Sequence, residues 1–196
     1  MDNLISDQTS EQPDQDLGAI VSEIAGAGLQ KESFLRLSYE AYSMVNGPDK
    51  LRTLVSDWGV VAGSIPSSAD AGAILGYFQM ILGDLDAAKA TLESSGSSDW
   101  ASYWLCRVLL GKKMPAEALA IANKFQGASP VSVDFAYVAV EALLQGGDLE
   151  GAGKILDSLR SREGESSQFA YCSGMCSESA GDYREAIDSF QRAVEI

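Results

Sequence analysis

The stretch that decides the fold reads SQFAYCSGMCSESA from Ser167 to Ala180, followed by GDYREAIDSFQRAVEI from Gly181 to Ile196. Apolar residues recur at helical spacing on both sides of the Gly181-Asp182-Tyr183 break, so the stretch reads as two helices joined by a tight turn. The same break stands 34 residues upstream as Gly147-Asp148-Leu149. Ala118, Ala152 and Ala186 follow one another at the same 34-residue interval, each near the start of the second helix of a pair. A recurrence at fixed period is the signature of a stacked array.

Working outward, helical spacing continues back to about Leu17, interrupted every 12 to 18 residues by Gly, Pro or Ser clusters. No stretch alternates with period two for long enough to make a strand. Short amphipathic helices are marginal alone, and one hairpin cannot cover both of its apolar faces, so each pair must stack on its neighbours. The periodic alanines fit this packing, because a small side chain lets the second helix lie close against the first. The expected architecture is all-α: antiparallel helical hairpins forming a right-handed superhelix, or α-solenoid.

These residues resemble the tetratricopeptide repeat. Counting from Ser167, the family's small residue falls at position eight as Gly174, the turn is Gly181-Asp182-Tyr183, and Ala186, Phe190 and Ala193 take positions 20, 24 and 27. The preceding units keep Gly147 and Ala152, then Ala118, Ala122 and Pro130, then Gly76, Gly83-Asp84-Leu85, Ala88 and Leu92. The resemblance covers 69–196 and is strongest over 167–196. It implies hairpins at approximately 69–98, 99–132, 133–166 and 167–196; the rhythm of breaks, without the small-residue pattern, adds a further hairpin over 31–66 that turns at Asn46-Gly47-Pro48. The expected organisation is an acidic flexible tail over 1–16 and a single repeat domain over 17–196. Position four, aromatic in the family, holds Gly72, Ser102, Ala136 or Ala170, so the bulk at that contact is substituted.

The resemblance also implies a binding groove. In the family, positions two, five, nine and twelve of each first helix face a bound peptide. Here they are Asp70, Ala73, Tyr77 and Met80; Trp100, Tyr103, Arg107 and Leu110; Asp134, Tyr137, Glu141 and Leu144; and Gln168, Tyr171, Met175 and Glu178. Tyr103, Tyr137 and Tyr171 share position five, and stacking would align them in a ladder of the side-chain types that dominate interfaces. The alternative is that they fill space between adjacent first helices. Asp70, Asp134, Glu141 and Glu178 stand against Arg107 alone, so the implied partner is a protein or peptide segment that is basic or amphipathic. The acidic chaperone tails held by some family members need several Lys, Arg and Asn side chains, and that set is lacking.

Composition narrows the function further. The chain of 196 residues has no histidine and a formal net charge of -14, from 28 Asp and Glu against 14 Lys and Arg. Histidine-dependent nucleophilic catalysis and proton shuttling are closed. The acidic balance opposes nucleic acid and anionic lipid, and no apolar run is long enough for membrane insertion. Three cysteines, an odd number in a chain that needs no staples, and the absence of a basic-then-apolar start point to a cytoplasmic location.

Local motifs have structural readings. Cys172 and Cys176 share one helix face, but a zinc site would want four ligands and only Cys106 remains; packing is the expected role, with no metal and no cofactor. Gly146 to Lys154 departs from the phosphate-loop pattern, since Ile155 follows the lysine. Asp84, Asp86, Asp148, Glu150, Asp182 and Glu185 stand in the first turn of second helices, where acids cap free N–H groups. The expected function is a non-catalytic interaction scaffold or adaptor. The alternatives are a chaperone for a secreted client and self-assembly: the apolar face of the C-terminal helix has no polar capping helix, so homo-oligomerisation through it, or continuation in a longer protein, would cover it.

Overall fold

The computed structural model describes residues 16–44, 46–96, 98–125 and 131–196. The tail expected over 1–16, save Asp16, and Pro130 lie outside the described residues. Among these residues there are twelve α-helices and no strand, as the helical spacing requires. The chain divides into two compact units, Met1–Ala71 and Gly72–Ile196, where the sequence led us to expect one domain from 17 onward.

The first unit holds α1 (Leu17–Gly26), α2 (Lys31–Ser43), α3 (Gly47–Ser56) and α4 (Trp58–Ala62), and the boundary falls inside α5 (Ser68–Ile81). Asp16 caps α1 by accepting from the Gly18 N–H at 2.9 Å. Val21, Phe34, Leu37, Ala41 and Leu51 are fully buried. The α2–α3 turn comes where Asn46-Gly47-Pro48 places it, with Pro48 in the first turn of α3. Helix α1 precedes every hairpin inferred from the sequence, and α4 is an additional short helix within the span 31–66.

In the second unit, α5 is followed by α6 (Leu85–Ser94), α7 (Asp99–Gly111), α8 (Pro115–Ala122), a 3-10 turn at Asn123–Phe125, α9 (Ser132–Gly146), α10 (Leu149–Glu163), α11 (Ser167–Ala180) and α12 (Tyr183–Glu195). Within hairpins α7 packs on α8, α9 on α10 and α11 on α12, while α7 meets α9 and α9 meets α11 across the repeat. The positions expected to be small are small for a steric reason. A Cβ at Gly174 would fall 2.6 Å from the Phe190 ring, and one at Gly76 would fall 2.4 Å from Leu92. Ala88, Ala118, Ala152 and Ala186 are all buried at the start of second helices, while Ala193 is half-buried.

The turns are built alike. Gly147 and Gly181 take left-handed backbone, at φ 83 and 85, and close α9 and α11. The next residue, Asp148 or Asp182, caps the following helix by accepting from the Gly151 N–H at 2.8 Å or the Glu185 N–H at 3.2 Å. Gly83 and Asp84 repeat the pattern before α6.

Candidate functional site

Helices α7, α9 and α11 bring the expected groove positions of three repeats side by side. At position nine, Arg107 donates from Nη1 to Glu141 Oε1 at 2.6 Å, joining residues 34 apart in sequence across the α7–α9 boundary. Both side chains are partly sheltered, with 35% and 14% exposure, so the attraction is less screened than at an open surface. The sequence reading set Arg107 against Glu141 as separate features of the groove; the structure pairs them.

The expected row of exposed tyrosines is absent. Tyr103 and Tyr137 are only 6% and 3% exposed, and Tyr77 and Trp100 are buried as well. Tyr103 meets Trp100, Trp104 and Phe135 edge-on, with centroids 5.7, 4.9 and 6.0 Å away. Trp104 also meets Tyr77 at 4.4 Å, and Phe135 stacks on Phe125 at 4.1 Å. These rings form an aromatic spine linking α5, α7, α9 and the 3-10 turn. Tyr137 sits in an apolar cluster with Val140, Ala152, Leu156, Leu159, Phe169 and Cys172, and its hydroxyl lies 3.3 Å from Ser166 Oγ.

The reason is geometric: position five meets the first helix of the following repeat, which covers it. Tyr171, on α11, is exposed. Sequence reasoning gave Trp104 no role beyond packing, which its contacts with Tyr77 and Tyr103 agree with, and passed over Phe135; the clustering of Trp100, Tyr103 and Trp104 on one helix was the available sign of an aromatic core.

The remaining positions are more open. Asp134 and Met175 are half-buried and Glu178 is exposed. Burial pushes the Tyr103 hydroxyl up to about 12; Arg107 opposes this, while Asp134 and Glu141 add to it. Both carboxylates therefore act on the same hydroxyl. Asp70 belongs to the first unit and is half-buried.

The cysteines are packing residues. Cys106 donates to the Ala118 carbonyl at 3.6 Å, and burial pushes the thiols of Cys106 and Cys172 up to about 12. Glu141 adds to the effect at Cys172, and burial also raises Cys176. Among the described residues no three His, Cys, Asp or Glu side chains gather to hold a metal, and no helix is long and apolar enough to cross a membrane. In the first unit, α1, α3 and α4 border an open groove of about 910 Å³ in which Leu54, Val60 and Val61 stand beside Asp49, Lys50 and Asp57.

Paired helices, small residues at each crossing and repeated turns together decide the architecture. The fold is tetratricopeptide-like. Its structure is similar to the MamA 41-end chain from Desulfovibrio magneticus RS-1, with TM-score 0.56 and 17% identity over 93% of this chain and 96% of that one. A MamA RS-1 ArsTM double mutant gives TM-score 0.55 and 17% identity over 93% and 95%. YrrB, described as a TPR protein with an unusual peptide-binding site, gives TM-score 0.54 and 15% identity over 90% and 91%. No family model matches the chain, and no curated protein matches its sequence.

Proposed function

We propose that the chain is a non-catalytic scaffold that captures a basic or amphipathic segment of a partner protein on the face shared by α7, α9 and α11. The observation that carries this reading is the Arg107–Glu141 pair. Arg107 is the one cation among the carried-over positions, and Glu141 neutralises it. Asp134 and Glu178 then give the face a net negative charge, which favours encounter with basic segments. Among structures of similar fold, YrrB has a peptide-binding site.

The buried tyrosines act beneath this surface rather than on it: they hold the three helices in register. Contact with the partner falls to Asp134, Met175 and Glu178, with Tyr171 at the C-terminal edge.

A peptide array of basic, acidic and neutral amphipathic segments tests the proposal. Basic segments should be retained at low salt and released as salt rises. Asp134→Asn with Glu178→Gln should weaken the best binder roughly fivefold, the scale of two partly exposed charge contacts. Equal retention of acidic segments, or unchanged affinity in the double variant, would count against the assignment.

A further inference from the structure

The tyrosines at position five differ in what covers them. Tyr103 is covered by Phe135 of α9, and Tyr137 by the start of α11, where Ser166 and Phe169 lie. Tyr171 is 49% exposed. Beside it, α12 leaves Tyr183, Ile187 and Val194 at 67%, 56% and 88% exposure. These three residues recur at helical spacing, so they form one stripe. Phe190 continues the stripe and meets Tyr171 at 5.6 Å, so the two helices present one apolar surface. The flank of α12 beside the stripe is buried through Ala186 and Ser189.

Charge borders the stripe on its open side. Arg184, Asp188 and Glu195 are exposed and make no ion pair among the described residues. Arg192, by contrast, lies 3.8 Å from Glu165 and donates to Ser189 Oγ.

We propose that this surface is a self-association face on which α12 of a second copy lies antiparallel to α12 of the first. With the two-fold axis between Asp188 and Ser189, Tyr183 lies opposite the second copy's Val194, and Ile187 opposite its Phe190. Arg184 comes within about one turn of the second copy's Glu195, and the symmetry makes that pair twice. A parallel arrangement would turn the charged flanks of the two copies to opposite sides of the helix pair, so only the antiparallel one brings Arg184 to Glu195. One helix pair with Tyr171 is a small interface, short of the roughly 1,200–2,000 Å² of stable complexes, and association in the micromolar range follows.

Sedimentation of the 196-residue chain over two decades of concentration is the test. The weight-average mass should climb from 20.8 kDa toward twice that value. Ile187→Glu should hold the chain monomeric with unchanged helical circular dichroism, since that side chain is exposed in the monomer. Arg184→Glu should weaken association about tenfold, as two attractive contacts become repulsive. Combining it with Glu195→Arg should restore association, which a merely sticky surface would not do. A monomer at every concentration, wild-type dimerisation by Ile187→Glu, or failure of the charge swap would overturn the proposal.

Discussion

Replacing Tyr103 with alanine would open a gap among Trp100, Trp104 and Phe135, whose rings meet it edge-on. Replacing Tyr137 would do the same in the cluster with Leu156, Leu159 and Phe169. Truncating a buried aromatic costs about 3–5 kcal/mol, a large share of a domain's total stability. Tyr171→Ala, at a half-exposed position, should cost under about 1 kcal/mol. Urea midpoints of the three single variants check this: both buried positions should shift far below wild type and Tyr171 should barely move. Equal shifts at all three would contradict the burial pattern. The three tyrosines share residue type and spacing, so nothing in their own sequence separates them. Burial here is imposed by the next repeat, and a reading confined to each unit in turn does not register it. Gly174 and Ala186 were legible for the opposite reason: the helix they touch belongs to their own hairpin.

At the scale of the element, the turns carry the most local information. Gly83, Gly147 and Gly181 all take left-handed backbone, and the chain closes each preceding helix with the same two hydrogen bonds. At Gly147 these are Gly147 N–H to Leu144 O at 3.1 Å and Asp148 N–H to Leu143 O at 2.9 Å. The turn before α8 makes the equivalent pair, Lys113 N–H to Leu110 O and Met114 N–H to Leu109 O, at 3.1 and 2.9 Å. There Lys113 adopts φ 61 without glycine's freedom, a conformation that costs about 1–2 kcal/mol for a residue with a Cβ. Lys113→Gly should therefore stabilise the chain by about 1 kcal/mol and raise the melting temperature by about 2–4 °C. A lowered melting temperature would mean that the lysine side chain contributes more than its backbone strain removes. Turn chemistry of this kind is written in two adjacent residues, which is why the second-unit hairpins could be read from sequence. The first unit lacks the small-residue pattern, so only its turn at Asn46-Gly47-Pro48 was legible; α1 was assigned to no hairpin, and the break before α4 within 31–66 was not read.

At the scale of the whole molecule, the absence of histidine moves the pH response away from neutrality. The groups that burial perturbs most are acids kept neutral: Cys106 and Cys172, pushed from an ordinary 9.0 to about 12, and Tyr103, pushed from 10.0 to about 12. In the unfolded chain these groups lose their protons at their ordinary values, while in the folded chain they keep them to higher pH. Above about pH 9 the folded state thus binds more protons than the unfolded one, and stability must fall as pH rises. The contribution is fully present below pH 9 and lost progressively toward about pH 12. A net charge of -14, growing more negative as lysines deprotonate, would add self-repulsion in the same direction. The pair of variants Cys106→Ala and Cys172→Ala, combined in one chain, separates the two effects. Its urea midpoint should start lower than wild type at pH 8, because packing is lost, yet decline less steeply between pH 8 and pH 11. Parallel declines in the two proteins would assign the alkaline loss to net charge and leave the buried thiols without a part in it.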